Sequence, residues 1–239
     1  MKLMNIYPVG NIQAYKRQDA NMFLTHLVLD HTSYRNMAKN HSGYKILDNS
    51  LIELGEAISF DLVLEAAKEI GADEVILPDK FKDGITTIEY VERTLEVYKD
   101  ELKNYKVMAV VHGKDLDEVA KTWKTFTNNP DIDVLGIPKV WTKQFGNRSE
   151  VLNDMIGMYG KGNKEVHLLG LWNSFRELED LNCVDQIRSI DTSLAVLYDI
   201  MGKHLGYVRE DDEVIDLVNQ RANIYTVSLE AIRFVNGLK

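Results

Sequence analysis

Glu74-Val-Ile-Leu-Pro-Asp79 and Lys106-Val-Met-Ala-Val-Val111 are two short apolar runs, and a helical pattern over about residues 85–104 separates them. Each run has the length and the β-branched composition of a buried strand. A strand, a helix and a second strand in this order predict a βαβ unit with parallel strands. Parallel sheets are covered by helices on both faces, which accounts for runs that are apolar throughout.

The same alternation extends along the chain in both directions. The helical pattern over residues 60–70 has apolar residues at three- and four-residue spacing, with Ser59 as a candidate N-cap and Gly71 as a candidate C-cap. Further strands are expected at residues 23–29, 44–47, 134–137, 165–169 and 186–190. Further helices are expected at about residues 116–127, 149–159, 175–182 and 212–237.

Seven strand-helix steps in 239 residues predict a single α/β domain, a (β/α)8 TIM-like barrel. We expect residues 1–22 to be an N-terminal extension and residues 209–239 to hold a C-terminal helix. The eighth strand is unassigned, and Tyr207-Val208 is its best candidate. The alternative is an open, doubly wound sheet. No Gly-x-Gly-x-x-Gly follows the first strand, which weakens the dinucleotide-binding version of that alternative.

Composition limits the classes of function. The net charge of −9 opposes a general nucleic-acid binder, although it does not exclude a local basic groove. Cys183 is the single cysteine, so the chain has no internal disulfide and no cysteine-rich zinc site. No run of about 18 apolar residues and no signal-peptide pattern occurs, so we expect no membrane partner and a cytoplasmic location.

Polar residues follow the apolar runs closely. They are Asp30, Asp48, Asp79, His112 and Asp191. In a parallel barrel the carboxyl ends of the strands converge on one mouth, so we expect these residues to share a pocket. An aspartate after a strand also commonly caps a helix or stabilises a turn, and this structural interpretation is favoured for Asp30.

Three other features have both a functional and a structural interpretation. His167 lies inside an apolar strand, where a hydrogen-bonded core residue is more common than a catalyst. The aromatic residues between Val140 and Phe145 predict either a stacking platform for a base or a simple cover of the barrel rim. Positive charge lies near these strand ends, and its sources are Lys80, Lys82, Lys143 and Arg148.

Residues 44–191 resemble the tRNA-guanine transglycosylase superfamily, whose members exchange a guanine base for a 7-deazaguanine on a nucleic acid. Leu47-Asp48-Asn49-Ser50 is similar to the family's strand ending in Thr-Asp-Ser-Gly-Gly-Phe-Gln, and Val111-His112-Gly113 is similar to Val-Gln-Gly. Leu135-Gly136-Ile137-Pro138 resembles Ile-Gly-Gly, and His167-Leu-Leu-Gly170 resembles Tyr-Leu-Met-Gly. Asp79 and Asp191 stand where the family has its base-reading and last key aspartates.

The resemblance implies a base-exchange glycosyltransferase without a cofactor. Asp191 would be the nucleophile and Asp48 the general acid and base. Asp79 would read a guanine-type or 7-deazaguanine base. Other substrate-binding positions would be His112, Gly113, Gly136, Ile137, Leu169 and Gly170.

The chain also departs from the family. It has no residues for the family's zinc site, so no metal is expected, and it lacks the Gly-Gly-Phe-Gln element. It is shorter than the usual enzymes of the family, as a phage-type member would be. The nucleic acid that it modifies would be DNA or tRNA. Two other classes stay open: a nucleosidase or deoxyribosyltransferase for small nucleosides or nucleotides, and an inactive barrel that binds a partner. A homodimer is one of the oligomeric states left open.

Overall fold

A computed structural model describes residues 1–179, 181, 184–210, 216–220 and 226–238, and its centre is an eight-stranded parallel sheet. The strands are hydrogen-bonded in the order β1-β8-β7-β6-β5-β4-β3-β2, which wraps the sheet into a nearly closed barrel. The predicted single-domain (β/α)8 fold is therefore confirmed. The strands are β1 (Lys2–Asn5), β2 (Ala20–Leu24), β3 (Tyr44–Asp48), β4 (Glu74–Ile76), β5 (Lys106–Val110), β6 (Val134–Pro138), β7 (Glu165–Leu169) and β8 (Ile187–Thr192).

Helices follow the strands around the outside of the barrel. They are α1 (Thr25–Asp30), α2 (Thr32–Asn40), α3 (Leu51–Leu54), α4 (Phe60–Ile70), α5 (Gly84–Val97), α6 (Lys99–Leu102), α7 (Leu116–Asn128), α8 (Val140–Phe145), α9 (Arg148–Tyr159), α10 (Leu194–Met201) and α11 (Thr226–Gly237). Short 3-10 helices cover Val9–Arg17, Phe175–Leu178 and Val184–Gln186. None of the helices among these described ranges is long and apolar enough to span a membrane.

The eighth strand lies at the start of the chain. Residues Lys2 to Asn5 pair in parallel with β8, so the expectation that residues 1–22 form an extension is wrong. Tyr207-Val208, the candidate for the eighth strand, is not a strand. Gln18 joins β1 to β2 by side-chain hydrogen bonds: its Oε1 accepts from the Asn5 backbone N–H at 2.6 Å, and its Nε2 donates to Asn21 Oδ1 at 2.5 Å. A four-residue strand carries too short a pattern to be recognised in sequence.

The run over residues 23–29 is also different from the prediction. The strand β2 ends at Leu24, and the chain continues as helix α1, which places Asp30 exposed at a helix end rather than at a strand end. The first turn of α1 is tied to the end of β3, where Thr25 Oγ1 donates to the Asp48 carbonyl at 2.6 Å. Short apolar runs do not distinguish strand from helix, and tertiary contacts decide here.

Most predicted helices agree with the structure within a few residues. The helix over residues 60–70 has its predicted bounds and ends at Gly71 with φ 62°, although Ser59 makes no side-chain capping bond. The helix expected from residue 85 to 104 is divided into α5 and α6. In the C-terminal part, α11 begins at Thr226; the predicted start at Asp212 lies outside the described residues, as does Cys183.

Candidate functional site

A cavity of about 320 Å³ lies at the carboxyl ends of the barrel strands. Four predicted polar residues, Asp48, Asp79, His112 and Asp191, line it together, although they are spread over more than half of the chain. Leu169 and Gly170 also line it. The volume is at the lower end of the range for small-molecule sites. Apolar side chains complete the wall, among them Met22, Leu24, Ile76, Val110 and Leu171.

The lining of this cavity does not include three predicted substrate-binding positions, Gly113, Gly136 and Ile137. The prediction that they belong to the pocket wall is corrected. A Cβ at Gly113 would lie 2.5 Å from the Val119 backbone nitrogen, so this glycine faces helix α7. Gly136 faces the barrel interior below the cavity, where a Cβ would lie 3.0 Å from Leu169 Cδ1. Ile137 is fully buried.

Asp79 is buried and both its oxygens are held. Oδ1 accepts a hydrogen bond from Asn49 Nδ2 at 2.7 Å, and Oδ2 contacts His112 Nε2 at 2.7 Å. The backbone N–H of Lys82 donates to His112 Nδ1 at 3.4 Å, which leaves Nε2 to carry the ring proton and donate it to Asp79. Each carboxylate oxygen keeps a second lone pair, so Asp79 can still accept two donors from a ligand.

Asp191 is held in a similar way from the other side of the cavity. Its Oδ1 lies 3.0 Å from His167 Nε2 and accepts a weaker hydrogen bond from the Gly170 N–H at 3.3 Å. The other ring nitrogen of His167 lies 2.8 Å from Ser189 Oγ. His167 is therefore a hydrogen-bonded core residue, as expected, but it also contacts a carboxylate that lines the cavity.

A constrained turn places Asp48. Ser50, two residues later, is fully buried and has φ 63°, a conformation that costs a non-glycine residue roughly 1–3 kcal/mol. The turn is stabilised by the Ser50 N–H, which donates to Asp48 Oδ1 at 2.6 Å, and by Ser50 Oγ, which accepts from the His26 N–H at 3.2 Å. The strained backbone therefore fixes the carboxyl at the cavity wall.

Two carboxyl groups that line the cavity, Asp48 and Glu53, have a raised pKa. Burial raises the pKa of Asp48 well above its usual range, and the neighbouring Glu53, Asp191 and Asp79 raise it further against the opposing Ser50 N–H. Burial also raises the pKa of Glu53, as does Asp191, whereas Lys139 lowers it. A carboxyl group whose protonated form is favoured in this way can act as a proton donor.

The mouth of the cavity carries aromatic rings and positive charge. Lys82 Nζ lies 5.3 Å from the ring centroid of Phe81, and Lys143 Nζ lies 5.2 Å from that of Trp172. All four residues line the cavity, as do Lys139 and Arg209. Cations and aromatic rings therefore form a rim over a cavity that also carries carboxyl groups.

The aromatic residues of helix α8 do not belong to this rim. Trp141 is fully buried, and its Nε1–H donates to the Val111 carbonyl at 3.0 Å, so the stacking-platform interpretation is wrong for this residue. Arg148 is also buried, and it donates to carbonyl groups of β6 and of the segment after β7 instead of adding charge to the surface.

Sequence reasoning missed several residues of the site. Asn49 and Glu53 follow Asp48 closely along the chain, and their nearness to a strand-end aspartate was the available signal. Phe81 and Trp172 occupy the segments after β4 and β7, where a barrel presents its ligand-binding loops. Single aromatic residues in loops have no periodicity that would distinguish them in a sequence.

Within the described ranges, no group of three or more His, Cys, Asp or Glu side chains is arranged to hold a metal ion. Comparison with known proteins leaves the family open. No family model matches the chain, and no curated protein matches it at a significant level of similarity.

Proposed function

We propose that the chain is a base-exchange glycosyltransferase that replaces guanine with a 7-deazaguanine in a nucleic acid through a covalent intermediate on Asp191. The observation that supports this most is the meeting of Asp48, Asp79 and Asp191 in one cavity, where burial raises the pKa of Asp48 and a histidine holds each of the other two carboxyl groups. The order of the strand-end motifs agrees with the tRNA-guanine transglycosylase superfamily. An acid, a base reader and a nucleophile are the three roles that this exchange needs.

In the first step, Asp191 attacks C1′ of the sugar. The bond between C1′ and the guanine nitrogen breaks, its electron pair leaves with the base, and Asp48 donates its proton to that base. The raised pKa of Asp48 favours the protonated form that this step requires. The sugar is then joined to Asp191 through an ester-like C1′–O bond.

In the second step, the incoming base gives its N–H proton to the Asp48 carboxylate and attacks C1′ through the same nitrogen. The C1′–O bond to Asp191 breaks, and the carboxylate is regenerated with net retention at C1′. Asp48 then carries the proton with which it began. Two displacements at one carbon need no cofactor and no change of oxidation state.

Asp79 would select the base. Its oxygens are oriented by Asn49 and His112 and can accept the adjacent N–H groups of a guanine-type edge. An analogue without those donors would leave buried polar groups unpaired, at a cost of about 1–3 kcal/mol for each group. The Lys82 ammonium group beside the Phe81 ring supports a substrate that carries phosphate next to a planar base.

Trapping the intermediate tests the proposal directly. The wild-type chain is incubated separately with labelled guanine-containing DNA, RNA and tRNA, and the products are separated on denaturing gels. Wild type should give a shifted covalent band that a 7-deazaguanine base discharges, and Asp191→Asn should give none. Asp30→Asn is the matched control, because this exposed aspartate does not line the cavity and should leave the band unchanged.

Two parallel measurements, guanine release from mononucleotides and thermal stabilisation by free bases, separate the alternatives. Release of free guanine from mononucleotides, with no band on any polymer, would replace the proposal with a nucleosidase or deoxyribosyltransferase. No band, no base release and no thermal stabilisation by guanine or 7-deazaguanine would favour an inactive barrel with a binding role.

A further inference from the structure

A chain of hydrogen bonds runs inside the barrel from the cavity to the opposite end. It begins at Asp191, whose Oδ1 lies 3.0 Å from His167 Nε2, and continues from His167 Nδ1 to Ser189 Oγ at 2.8 Å. Arg188 Nε donates to the same Ser189 oxygen at 3.0 Å. Ser189 and Asp191 are two residues apart on β8 and point to the same side, and His167 is in register with Ser189 on β7.

The donors in this chain set its direction. A guanidinium can only donate, so Ser189 Oγ accepts from Arg188 and has its one proton to give to His167 Nδ1. His167 then carries its ring proton on Nε2 and donates to Asp191. The opposite neutral tautomer would place a lone pair of Nε2 against a carboxylate oxygen 3.0 Å away.

Arg188 is itself held at the floor of the barrel, where the strands begin. Its Nη1 and Nη2 donate to the two carboxylate oxygens of Glu74 at 2.7 and 3.0 Å, and Nη1 also donates to Glu165 Oε2 at 2.8 Å. Glu74 is fully buried, and its Oε2 accepts a further bond from the Tyr44 hydroxyl at 2.7 Å. A bidentate pair of this kind fixes the plane of the guanidinium and therefore the direction of Nε–H.

We infer that His167 is a positioning residue for Asp191 and that Ser189 and Arg188 set its tautomer from the barrel floor. His167 and the Gly170 N–H both engage Oδ1, so the carboxylate is anchored through this oxygen. The anchor fixes the orientation of the carboxylate at the wall of the cavity that Asp191 lines. The nucleophilic role of Asp191 in this inference rests on the proposed function, whereas the orientation of the hydrogen-bond chain does not.

His167→Gln and His167→Leu test the positioning role as a pair. Glutamine of similar length can still donate to Asp191, and leucine cannot. We expect Leu to slow formation of the covalent adduct by about 10²–10³-fold, the range for loss of one preorganised donor, with little change in the KM for the base. Glutamine should restore most of the rate. His204→Gln, at an exposed histidine, is the matched control and should behave as wild type.

The tautomer is measured without any activity. ¹⁵N NMR of the folded wild-type protein at neutral pH should show His167 protonated at Nε2 only, with its signals assigned by their loss in His167→Gln. In Ser189→Ala this preference should weaken, and adduct formation should slow by about tenfold. A wild-type His167 that carries a proton on Nδ1, alone or with Nε2, would overturn the inferred direction of the chain.

The two failures are distinguishable. A covalent band that forms at the same rate in wild type and His167→Leu, with both proteins folded by circular dichroism, would overturn the positioning role and leave the proposed function intact. A wild type that forms no band with any polymer would reject the proposed function, and the NMR measurement would still decide the orientation of His167.

Discussion

Arg148, the first residue of α9, is a buried cation that supports the wall of the cavity. Only 1% of its side chain is exposed, and its Nε lies 2.7 Å from Glu177 Oε1. Its Nη1 donates to the carbonyls of Ile137 at 3.1 Å and Leu169 at 3.3 Å, and its Nη2 donates to that of Gly170 at 2.9 Å. One side chain therefore connects the end of β6 to the segment that carries the Gly170 N–H toward Asp191.

Arg148→Met keeps much of the side-chain volume and removes the charge and all of these donors. Glu177, 11% exposed, is left as a buried carboxylate without its cation. Removing one partner of a buried ion pair costs about 3–5 kcal/mol, so we expect the free energy of unfolding to fall by that amount. The three carbonyl groups that lose a donor add to the cost unless water reaches them.

Urea denaturation monitored by circular dichroism measures this difference, with the m-value unchanged if the variant is still two-state. Arg93→Met, at an exposed position on α5, is the matched control and should change the free energy of unfolding by less than about 0.5 kcal/mol. Arg148→Met combined with Glu177→Gln should recover part of the loss, because no charge is left unpaired. A loss below about 1 kcal/mol for Arg148→Met would refute the assignment of Arg148 as a buried, charge-paired support.

Three further substitutions test other parts of the structure. Burial raises the pKa of Asp48, so protonation of this group stabilises the folded state. The contribution is complete below about pH 3.9 and is lost as the pH rises through the folded pKa. Asp48→Asn, which stays neutral, should therefore raise the Tm at pH 8 and change it little near pH 4, as measured by calorimetry. Gly113→Ala would place a Cβ 2.5 Å from a backbone nitrogen of α7 and should lose about 1–3 kcal/mol in urea, whereas Gly157→Ala, with open space around it, should gain up to about 1 kcal/mol. Gln18→Leu leaves the Asn5 backbone N–H unpaired at the β1–β2 junction and should speed amide exchange in β1; unchanged exchange would contradict the role of Gln18 there.

The predictable part of this fold is the part with a long, repeated pattern. The helix Phe60–Ile70 was predicted with its observed bounds because its apolar residues recur at helical spacing and a glycine follows; in the structure that glycine, Gly71, is left-handed. The strand Glu165–Leu169 was predicted with its observed bounds from a mostly apolar run that Gly170 ends. In both elements the residues that decide the conformation are adjacent along the chain.

Elements whose pattern is short or ambiguous were not predictable. The strand Lys2–Asn5 is defined by its pairing with β8, and helix α1 by its contacts with the end of β3. In both cases partners far along the chain decide the conformation, and their positions are absent from the local sequence.

The order of residues along the chain already places aspartates and a histidine after apolar strands, and the geometry of parallel strands is sufficient to gather them around one mouth. The groups that hold these side chains became known from the folded structure. Asn49 and His112 orient Asp79, and His167 orients Asp191, through side-chain contacts across 24 to 33 residues of chain. Strand periodicity fixes where a side chain starts, whereas its hydrogen-bond partners depend on register and packing between elements that are distant in sequence.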